Sequence, residues 1–223
     1  MDAGETDLAG VAGELDRGNR VILMVRHAER PRMDPDDPTF GMSLPITEAG
    51  RRMSYDFGVA LRPHVDGVQF LSSPLLRTRL TAEWIAKGMG LGSVDIPLDD
   101  TLGNTTPFFA DAHAVFELFR DGSFFEKVFA YCETGRQIGF NEIHEAADRL
   151  DDWCVAHFTG RLGVFTTHDL YNAAFLYAKG VVPKFTRENW IRFLDSAAII
   201  LEPDGTRRYA FVRAGLSDGI VGV

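Results

Sequence analysis

The sequence predicts a three-layer α/β/α fold with a mostly parallel central sheet. Apolar runs of strand length alternate along the chain with longer amphipathic segments of helix length. Polar, reactive residues directly follow three of the apolar runs, which indicates a ligand site beyond the carboxyl ends of the strands. A chain of 223 residues is long enough for one well-buried core, so residues 1–223 are assigned to a single domain.

The first quarter of the chain predicts an arm, a strand, a loop and a helix. Residues 1–18 are expected to form a leading arm or a short helix. The continuous apolar run Val21–Val25 is typical of a buried strand. Four prolines in the stretch 31–45 predict a loop. Thr47 is a suitable N-cap for the next helix, whose inner face is expected to carry Ala49, Met53, Phe57 and Ala60.

The middle of the chain begins regularly and then loses its pattern. Val68–Ser72 predicts a second strand, and the following helix is marked by Leu76, Leu80 and Trp84 and ended by Gly88 and Gly90. Val94–Pro97 is expected to form a short third strand. Residues 101–140 are rich in phenylalanine and have no clear period, so we expect an insertion, or cap, over the carboxyl ends of the strands.

The last third predicts a helix, a strand, a second helix and a hairpin. The first helix opens at Asn141 or Glu142 and is amphipathic, with Ile143, Ala147, Leu150 and Cys154 facing inward. The elements that follow are a strand over Leu162–Thr166, a helix through Tyr171–Lys179, and a closing hairpin of Ser196–Leu201 with Arg208–Val212.

Composition excludes several classes of protein. The net charge of −9 argues against a nucleic-acid binder or a protein of anionic membrane surfaces. No apolar run approaches the roughly 18–20 residues that span a bilayer, and the acidic N-terminus lacks the pattern of a secretory signal. We therefore expect a cytoplasmic protein, in which Cys132 and Cys154 are reduced thiols. The sequence carries no signal for oligomeric state.

The three polar strand ends contain the groups of a phosphate site. They supply two imidazoles, three guanidinium groups and one carboxylate, which belong to Arg26, His27, Arg30, Arg77, His168 and Asp169. Arginine forks bind phosphate oxygens, and a neutral imidazole is a competent nucleophile toward phosphorus. The arginines should lower the pKa of His27, and its second ring nitrogen should donate to a backbone carbonyl.

These strand ends resemble the motifs of the histidine phosphatase superfamily, which has the phosphoglycerate-mutase-like fold. Arg26-His27-Ala28-Glu29-Arg30 is similar to the Arg-His-Gly signature of that family. Ser72–Thr78 resembles the Ser-Ser-Pro segment with its phosphate-binding arginine, and Thr167-His168-Asp169 resembles the second histidine motif. Leu44–Gly50 is similar to the family's helix-opening segment. The motifs occur in the expected order, each at the end of a predicted strand.

The resemblance implies a role for each matched residue. His27 would be the nucleophile, forming a phosphohistidine that water then hydrolyses. Arg26, Arg77 and His168 would bind the phosphoryl oxygens and stabilise the charge of the transition state. Arg30 matches an additional phosphate-binding arginine of the acid-phosphatase branch. No metal or cofactor is implied, and the histidine spacing forms no zinc motif.

The general acid and the branch stay open at this point. Asp169 matches the acid that follows the second histidine in the acid-phosphatase branch, whereas Asp100 matches the acid of the mutase-like branch; we favour Asp169. The chain is shorter than typical acid phosphatases, and Ala28 replaces the usual glycine. Glu29 is interpreted as a structural partner rather than as a base.

The predicted function is hydrolysis of a small phosphate monoester. One alternative is a phosphomutase that uses the same intermediate, although residues 101–135 offer only Arg120 and Lys127 for a second phosphate. The other is a non-catalytic protein that binds phosphorylated ligands. His113 lies in the insertion and is a weaker candidate for contact with substrate, while the remaining histidines, His64, His144 and His157, are interpreted as loop or helix-face residues.

Overall fold

The structure is a computed structural model that describes residues 4–34, 37, 39 and 41–221. Within these residues lie six strands: β1 (Glu5–Thr6), β2 (Arg20–Arg26), β3 (Val68–Ser72), β4 (Leu162–Thr167), β5 (Ser196–Leu201) and β6 (Arg207–Val212). The helices are α1 (Leu8–Asp16), α2 (Glu48–Leu61), α3 (Leu76–Gly88), α4 (Ala112–Phe119), α5 (Phe124–Thr134), α6 (Ile143–Ala156) and α7 (Asp169–Ala178). Short 3-10 turns cover Arg62–His64 and Asp100–Leu102.

All six strands form one sheet in the order β1-β6-β5-β2-β4-β3. Strands β2, β4 and β3 are parallel neighbours, and β1 runs parallel to β6. Strand β5 is antiparallel both to β2 and to β6, as expected of the predicted hairpin. The carboxyl ends of β2, β4 and β3 therefore meet at the same edge of the sheet, and the residues after them are brought together.

Two apolar clusters cover the two faces of the sheet. Along β2, Ile22 and Met24 face the cluster formed with α5, α6 and α7, whereas Val21, Leu23 and Val25 face the cluster formed with α1, α2 and α3. This alternation is the period-two pattern of a strand buried on both sides. The prediction of a three-layer α/β/α domain core with a mostly parallel sheet is confirmed.

Most predicted elements occupy the expected residues, and Thr47 caps α2 by accepting a hydrogen bond from the Gly50 amide. The predicted third strand over Val94–Pro97 is wrong: no strand forms there, and only the following residue, Leu98, makes an isolated parallel bridge to Ser72 of β3. Strand β1 was not predicted, since its two residues are too few to carry an alternating pattern. Every helix in the described ranges falls short of the length and apolar character that a bilayer crossing requires.

The inner face of α2 differs from the prediction. Ala60 is exposed, and the buried residues are Gly50, Ser54, Phe57, Gly58 and Leu61. The reason is the close approach of α2 to α3. A Cβ atom added to Gly58 would overlap the carbonyl of Ile85, and one added to Gly88 would overlap the carbonyl of Tyr55. Because small residues line this contact, an apolar pattern does not mark it.

The insertion over residues 101–140 contains α4 and α5 and packs beside the carboxyl end of β4. The hydroxyl of Thr167 donates to the Leu102 carbonyl at 2.8 Å. Phe109 lies 5.5 Å from Tyr171 of α7, measured between ring centroids. On α5, Phe125 lies 5.3 Å from Trp190. These contacts place the insertion beside the end of the sheet, and its role as a cap stays a prediction.

Candidate active site

The structure brings together the side chains that follow β2, β3 and β4. The rings of His27 and His168 lie 5.6 Å apart, measured between centroids. Arg77, in the first turn of α3, and Arg26, the last residue of β2, are both at least nine-tenths buried beside them. The two histidines are buried to the same extent. A cluster of cations and imidazoles this deeply buried is unfavourable for stability alone, which favours a role in ligand binding.

The ring of His27 has one nitrogen fixed by the backbone. Its Nδ1 atom lies 2.9 Å from the carbonyl oxygen of Ala28. Since a carbonyl can only accept, Nδ1 carries the hydrogen, and Nε2 of the neutral ring keeps its lone pair. Burial, together with the charges of Arg77 and Arg26, holds the pKa of His27 well below its usual 6.5. The ring is therefore neutral at physiological pH, as a nucleophile requires.

Helix α3 supports this arrangement from behind. The amide of Ala28 donates to the hydroxyl of Thr81 at 2.9 Å, and that hydroxyl donates to the Arg77 carbonyl at 2.7 Å. The turn that carries His27 and the helix that carries Arg77 thus share one buried hydrogen-bonded link.

His168 is held by Ser73 from the end of the neighbouring strand. Its Nε2 atom lies 3.2 Å from the Ser73 hydroxyl, which also lies 2.8 Å from the hydroxyl of Thr78. Burial, followed by the charges of Arg77, Arg26 and Arg30, lowers the pKa of His168 well below 6.5. His168 is therefore a neutral hydrogen-bonding group inside the cluster.

Arg26 is anchored by main-chain carbonyls. Its Nη1 donates to Ile191 at 2.6 Å and its Nη2 to Ile220 at 2.8 Å, and Nη2 also lies 3.1 Å from Oδ2 of Asp169. The guanidinium carbon sits 4.3 Å from the centre of the Phe193 ring. Burial lowers the pKa of Arg26, while the Asp169 carboxylate opposes that effect.

Arg77 and Arg30 complete the positive cluster. Arg77 donates from Nη1 to the Gly41 carbonyl at 2.7 Å, and burial, with the charge of Arg30, lowers its pKa to about 10. Arg30 donates from Nη1 to the Pro31 carbonyl at 2.9 Å. Among the described residues, nothing accepts from the buried Nε atoms of Arg26 and Arg77. These donors are suited to an oxyanion, because a buried N–H without an acceptor is costly.

The two candidate acids have different surroundings. Asp169, the first residue of α7, accepts from the Leu170 amide with Oδ1 and from the Trp190 indole with Oδ2, each near 3 Å, in addition to its ion pair with Arg26. Asp100 begins the 3-10 turn after the Leu98 bridge, and its Oδ1 accepts from the Asn104 amide at 2.9 Å.

Other sequence candidates have structural roles. The Thr47 hydroxyl donates to the Glu29 carboxylate at 2.7 Å, so Glu29 connects its loop to the start of α2. His157 stacks on Trp153 at 4.5 Å, and His64 lies 3.8 Å from Asp16. In the part of the chain that the structure describes, no three or more His, Cys, Asp or Glu side chains are grouped to share a metal ion.

A cavity of about 360 Å³ opens from Arg77 and His168 toward α4, where His113 and Phe116 line it. This volume lies at the lower end of the range for small-molecule sites. A larger cavity of about 480 Å³ lies at the sheet edge between β3 and residues 91–97, and its described lining contains no histidine or arginine. The first cavity is the one connected to the reactive groups.

Three contributors were missed by the sequence analysis. Trp190 holds the carboxylate of Asp169, and Phe193 lies under Arg26 and 5.9 Å from the His27 ring. Both belong to a segment before β5 that has no periodic pattern, so no sequence signal identifies them. Ser73 belongs to the Ser-Ser-Pro segment, and its position directly after a strand was the sequence signal that could have identified it.

Part of the chain matches a known protein family. Residues 22–105 match the family model described as histidine phosphatase superfamily (branch 1). No curated protein matches the chain in sequence.

Solved structures share the fold at low sequence identity. YhfR of Bacillus stearothermophilus is 17% identical, with a TM-score of 0.58 over 88% of this chain and 99% of its own. A mycobacterial glucosyl-3-phosphoglycerate phosphatase, in complex with inorganic phosphate, is 18% identical, with a TM-score of 0.56 over 89% of this chain and 100% of its own. At sequence identities this low, the structural similarity shows a shared fold and no more.

Proposed function

This chain belongs to the histidine phosphatase superfamily, and on that basis we propose that it hydrolyses a small phosphate monoester through a phosphohistidine on His27. The main support for this proposal is the orientation of the His27 ring, whose Nδ1 donates to the Ala28 carbonyl while burial and the charges of Arg77 and Arg26 keep the ring neutral. One neighbour of the same fold is, by its name, a phosphatase, which supports this class of reaction.

The proposed reaction has two steps. The phosphoryl group is bound by Arg26, Arg77 and His168, whose donors stabilise the charge that develops on its oxygens. Nε2 of His27 attacks phosphorus while the bond to the leaving oxygen breaks, and a carboxylic acid gives that oxygen a proton. Water then attacks the phosphohistidine, the same carboxylate takes a proton from that water, and inorganic phosphate leaves.

The identity of the general acid is part of the proposal. The sequence favours Asp169, but this carboxylate forms an ion pair with Arg26 and accepts from the Trp190 indole. These contacts suit a group that orients Arg26 rather than one that carries a transferable proton. The matched family model is that of branch 1, and the match includes Asp100, the residue that corresponds to the acid of the mutase-like branch. We therefore propose Asp100 as the acid, with Asp169 as the alternative.

The leaving group distinguishes the two carboxylates. An alkyl alcohol is a poorer leaving group than a nitrophenol and needs protonation more. Asp100→Asn should therefore reduce kcat on an alkyl phosphate by about 10²-fold or more and on a nitrophenyl phosphate by much less. Asp169→Asn should reduce kcat on both esters by similar factors. If the dependence on leaving group appears in Asp169→Asn instead, Asp169 is the acid.

The nucleophile is tested by turnover and by trapping. The protein should release phosphate from a nitrophenyl phosphate in excess chelator, be inhibited by vanadate, and form an acid-labile phosphoenzyme on rapid quenching. His27→Asn should abolish the phosphoenzyme and turnover, whereas His157→Ala, on the exposed end of α6, is the control and should retain both. Undiminished turnover in His27→Asn would contradict the proposal. Phosphoryl transfer to a second substrate molecule instead of to water would favour a phosphomutase.

A further inference from the structure

We infer that the leaving group of the substrate is uncharged and partly apolar, so that this chain prefers aryl and alkyl monophosphates to phosphates with a second anionic group. The inference rests on the proposed phosphatase function and adds to it the chemical class of the substrate. It comes from the cavity beyond the phosphate-binding groups, here named the leaving-group pocket and lined by Thr39, Met42, Asn104, His113, Phe116 and Glu117.

The leaving-group pocket has an apolar wall that continues into the phosphate site. Phe116 lies 6.2 Å from Phe109, which lies 5.5 Å from Tyr171, and Tyr171 lies 5.5 Å from His168, all between ring centroids. Met42 lines the same cavity. A group attached to a phosphoryl held at His168 therefore meets aromatic and thioether surface, which favours burial of an apolar part.

The charges around the leaving-group pocket oppose a second anion. On the loop side, the described lining residues Thr39 and Met42 carry no charge. On the insertion side, Asn104 and Phe116 are uncharged as well, and Glu117 forms an ion pair with Arg120. Beyond the phosphate-binding groups, Arg120 is therefore the one Lys or Arg side chain in the described lining, and a carboxylate already holds it.

Arg120 and Lys127, two cations of the insertion, already have anionic partners. Arg120, which lines the cavity, donates from Nε to the Glu117 carboxylate at 2.7 Å. Lys127 donates to the Asp121 carboxylate at 3.1 Å and to the Leu118 carbonyl. A carboxylate or second phosphate on the substrate would have to compete with Glu117 for Arg120. The ion pair is about half exposed and therefore of modest strength, so the preference it gives should be modest and should respond to a substitution at Glu117.

A set of three matched esters tests the inference. The reactive phosphoryl group is the same in phenyl phosphate, 4-carbamoylphenyl phosphate and 4-carboxyphenyl phosphate, and the last two differ mainly in one charge. We expect kcat/KM for the carbamoyl ester to exceed that for the carboxyl ester by roughly tenfold at low salt. The ratio should shrink as ionic strength rises, because the Debye length falls from about 30 Å at 0.01 M to about 8 Å at 0.15 M.

Two substitutions locate the effect in the leaving-group pocket. Glu117→Gln removes the negative charge that pairs with Arg120, so the ratio of kcat/KM for the carbamoyl ester to that for the carboxyl ester should fall by about threefold or more. Glu145→Gln makes the same change of net charge on the exposed face of α6 and should leave the ratio as it is. Phe116→Ala should lower kcat/KM for phenyl phosphate several-fold more than for methyl phosphate, because the ring lost from the wall contacts only the larger group.

The outcomes separate this inference from the function on which it rests. Equal rates for the charged and uncharged esters at low salt, or a preference for the charged one, would overturn the inference while leaving the phosphatase function intact. A ratio that narrows equally in Glu117→Gln and Glu145→Gln would also overturn it, because net charge alone would then explain the preference. No turnover of any ester, with no phosphoenzyme formed, would contradict the phosphatase function itself.

Discussion

Thr81 offers the sharpest test of how the fold orients His27. Its hydroxyl is buried, accepts from the Ala28 amide at 2.9 Å and donates to the Arg77 carbonyl at 2.7 Å. Thr81→Val keeps the shape but removes the hydroxyl, so the Ala28 amide is left buried without that acceptor. The cost of such a group is about 1–3 kcal/mol in unfolding free energy.

A second variant separates orientation from stability. Thr81→Ser keeps the hydroxyl and loses one methyl group, which costs about 1 kcal/mol. The two variants should therefore unfold with similar losses of free energy, but they should differ in catalysis. Without its anchor, Ala28 can shift, and its carbonyl no longer fixes the His27 ring. We expect kcat to fall by about tenfold or more in Thr81→Val and by much less in Thr81→Ser.

The measurements are urea unfolding followed by tryptophan fluorescence, and kcat at saturating nitrophenyl phosphate. Binding of phosphate as a competitive inhibitor serves as the control for an intact arginine cluster. If the two variants have the same kcat, the hydrogen bonds from α3 do not orient the His27 ring, and the argument from Thr81 to His27 is refuted.

Three further changes test other contacts. Burial holds the pKa of His27 and of His168 well below 6.5, so the unfolded chain binds more protons than the folded chain as the pH falls below 6.5. The unfolding free energy should therefore decrease from pH 7 toward pH 5, by up to about 1.4 kcal/mol per pH unit for each histidine, and replacing both by Asn should flatten this dependence in urea titrations. Trp190→Phe removes the indole donor to the carboxylate beside Arg26 and should lower kcat by about tenfold; an unchanged kcat would show that this hydrogen bond does not position the site. Gly88→Ala forces a Cβ atom against the facing helix and should cost about 2 kcal/mol or more of unfolding free energy, whereas Gly92→Ala, with nothing within 4 Å, should be nearly neutral.

The sequence was most informative where structure is encoded by short, regular patterns. Apolar runs identified β2, β3 and β4, and the polar residues that follow them were the ones brought together. Parallel neighbouring strands place their carboxyl ends at one edge, so a pattern that is local in sequence predicts a contact that is distant in sequence. The arginines near His27 predicted a neutral ring whose second nitrogen donates to a backbone carbonyl, and Nδ1 does lie against the Ala28 carbonyl.

The rest of the site depends on contacts that no local pattern encodes. Arg26 is fixed by the carbonyls of Ile191 and Ile220, and any residue at those two positions has the same acceptor. Phe193 reaches Arg26 from a segment in which Leu194 adopts a left-handed backbone with φ of 68°. Such a conformation is unfavourable for leucine and is imposed by tertiary contacts, so it cannot be inferred from propensity.

The contact between α2 and α3 limits how the active site can move. At Gly58 and Gly88 the main chains of the two helices are in direct contact, with no side chain between them at this point. Domains that open by shear slide packed helices past one another, and such a close contact opposes sliding. Because α3 carries Arg77 in its first turn and is held tightly against α2, we expect a substrate to be admitted from the other side of the cavity, where His113 and Phe116 of α4 line it.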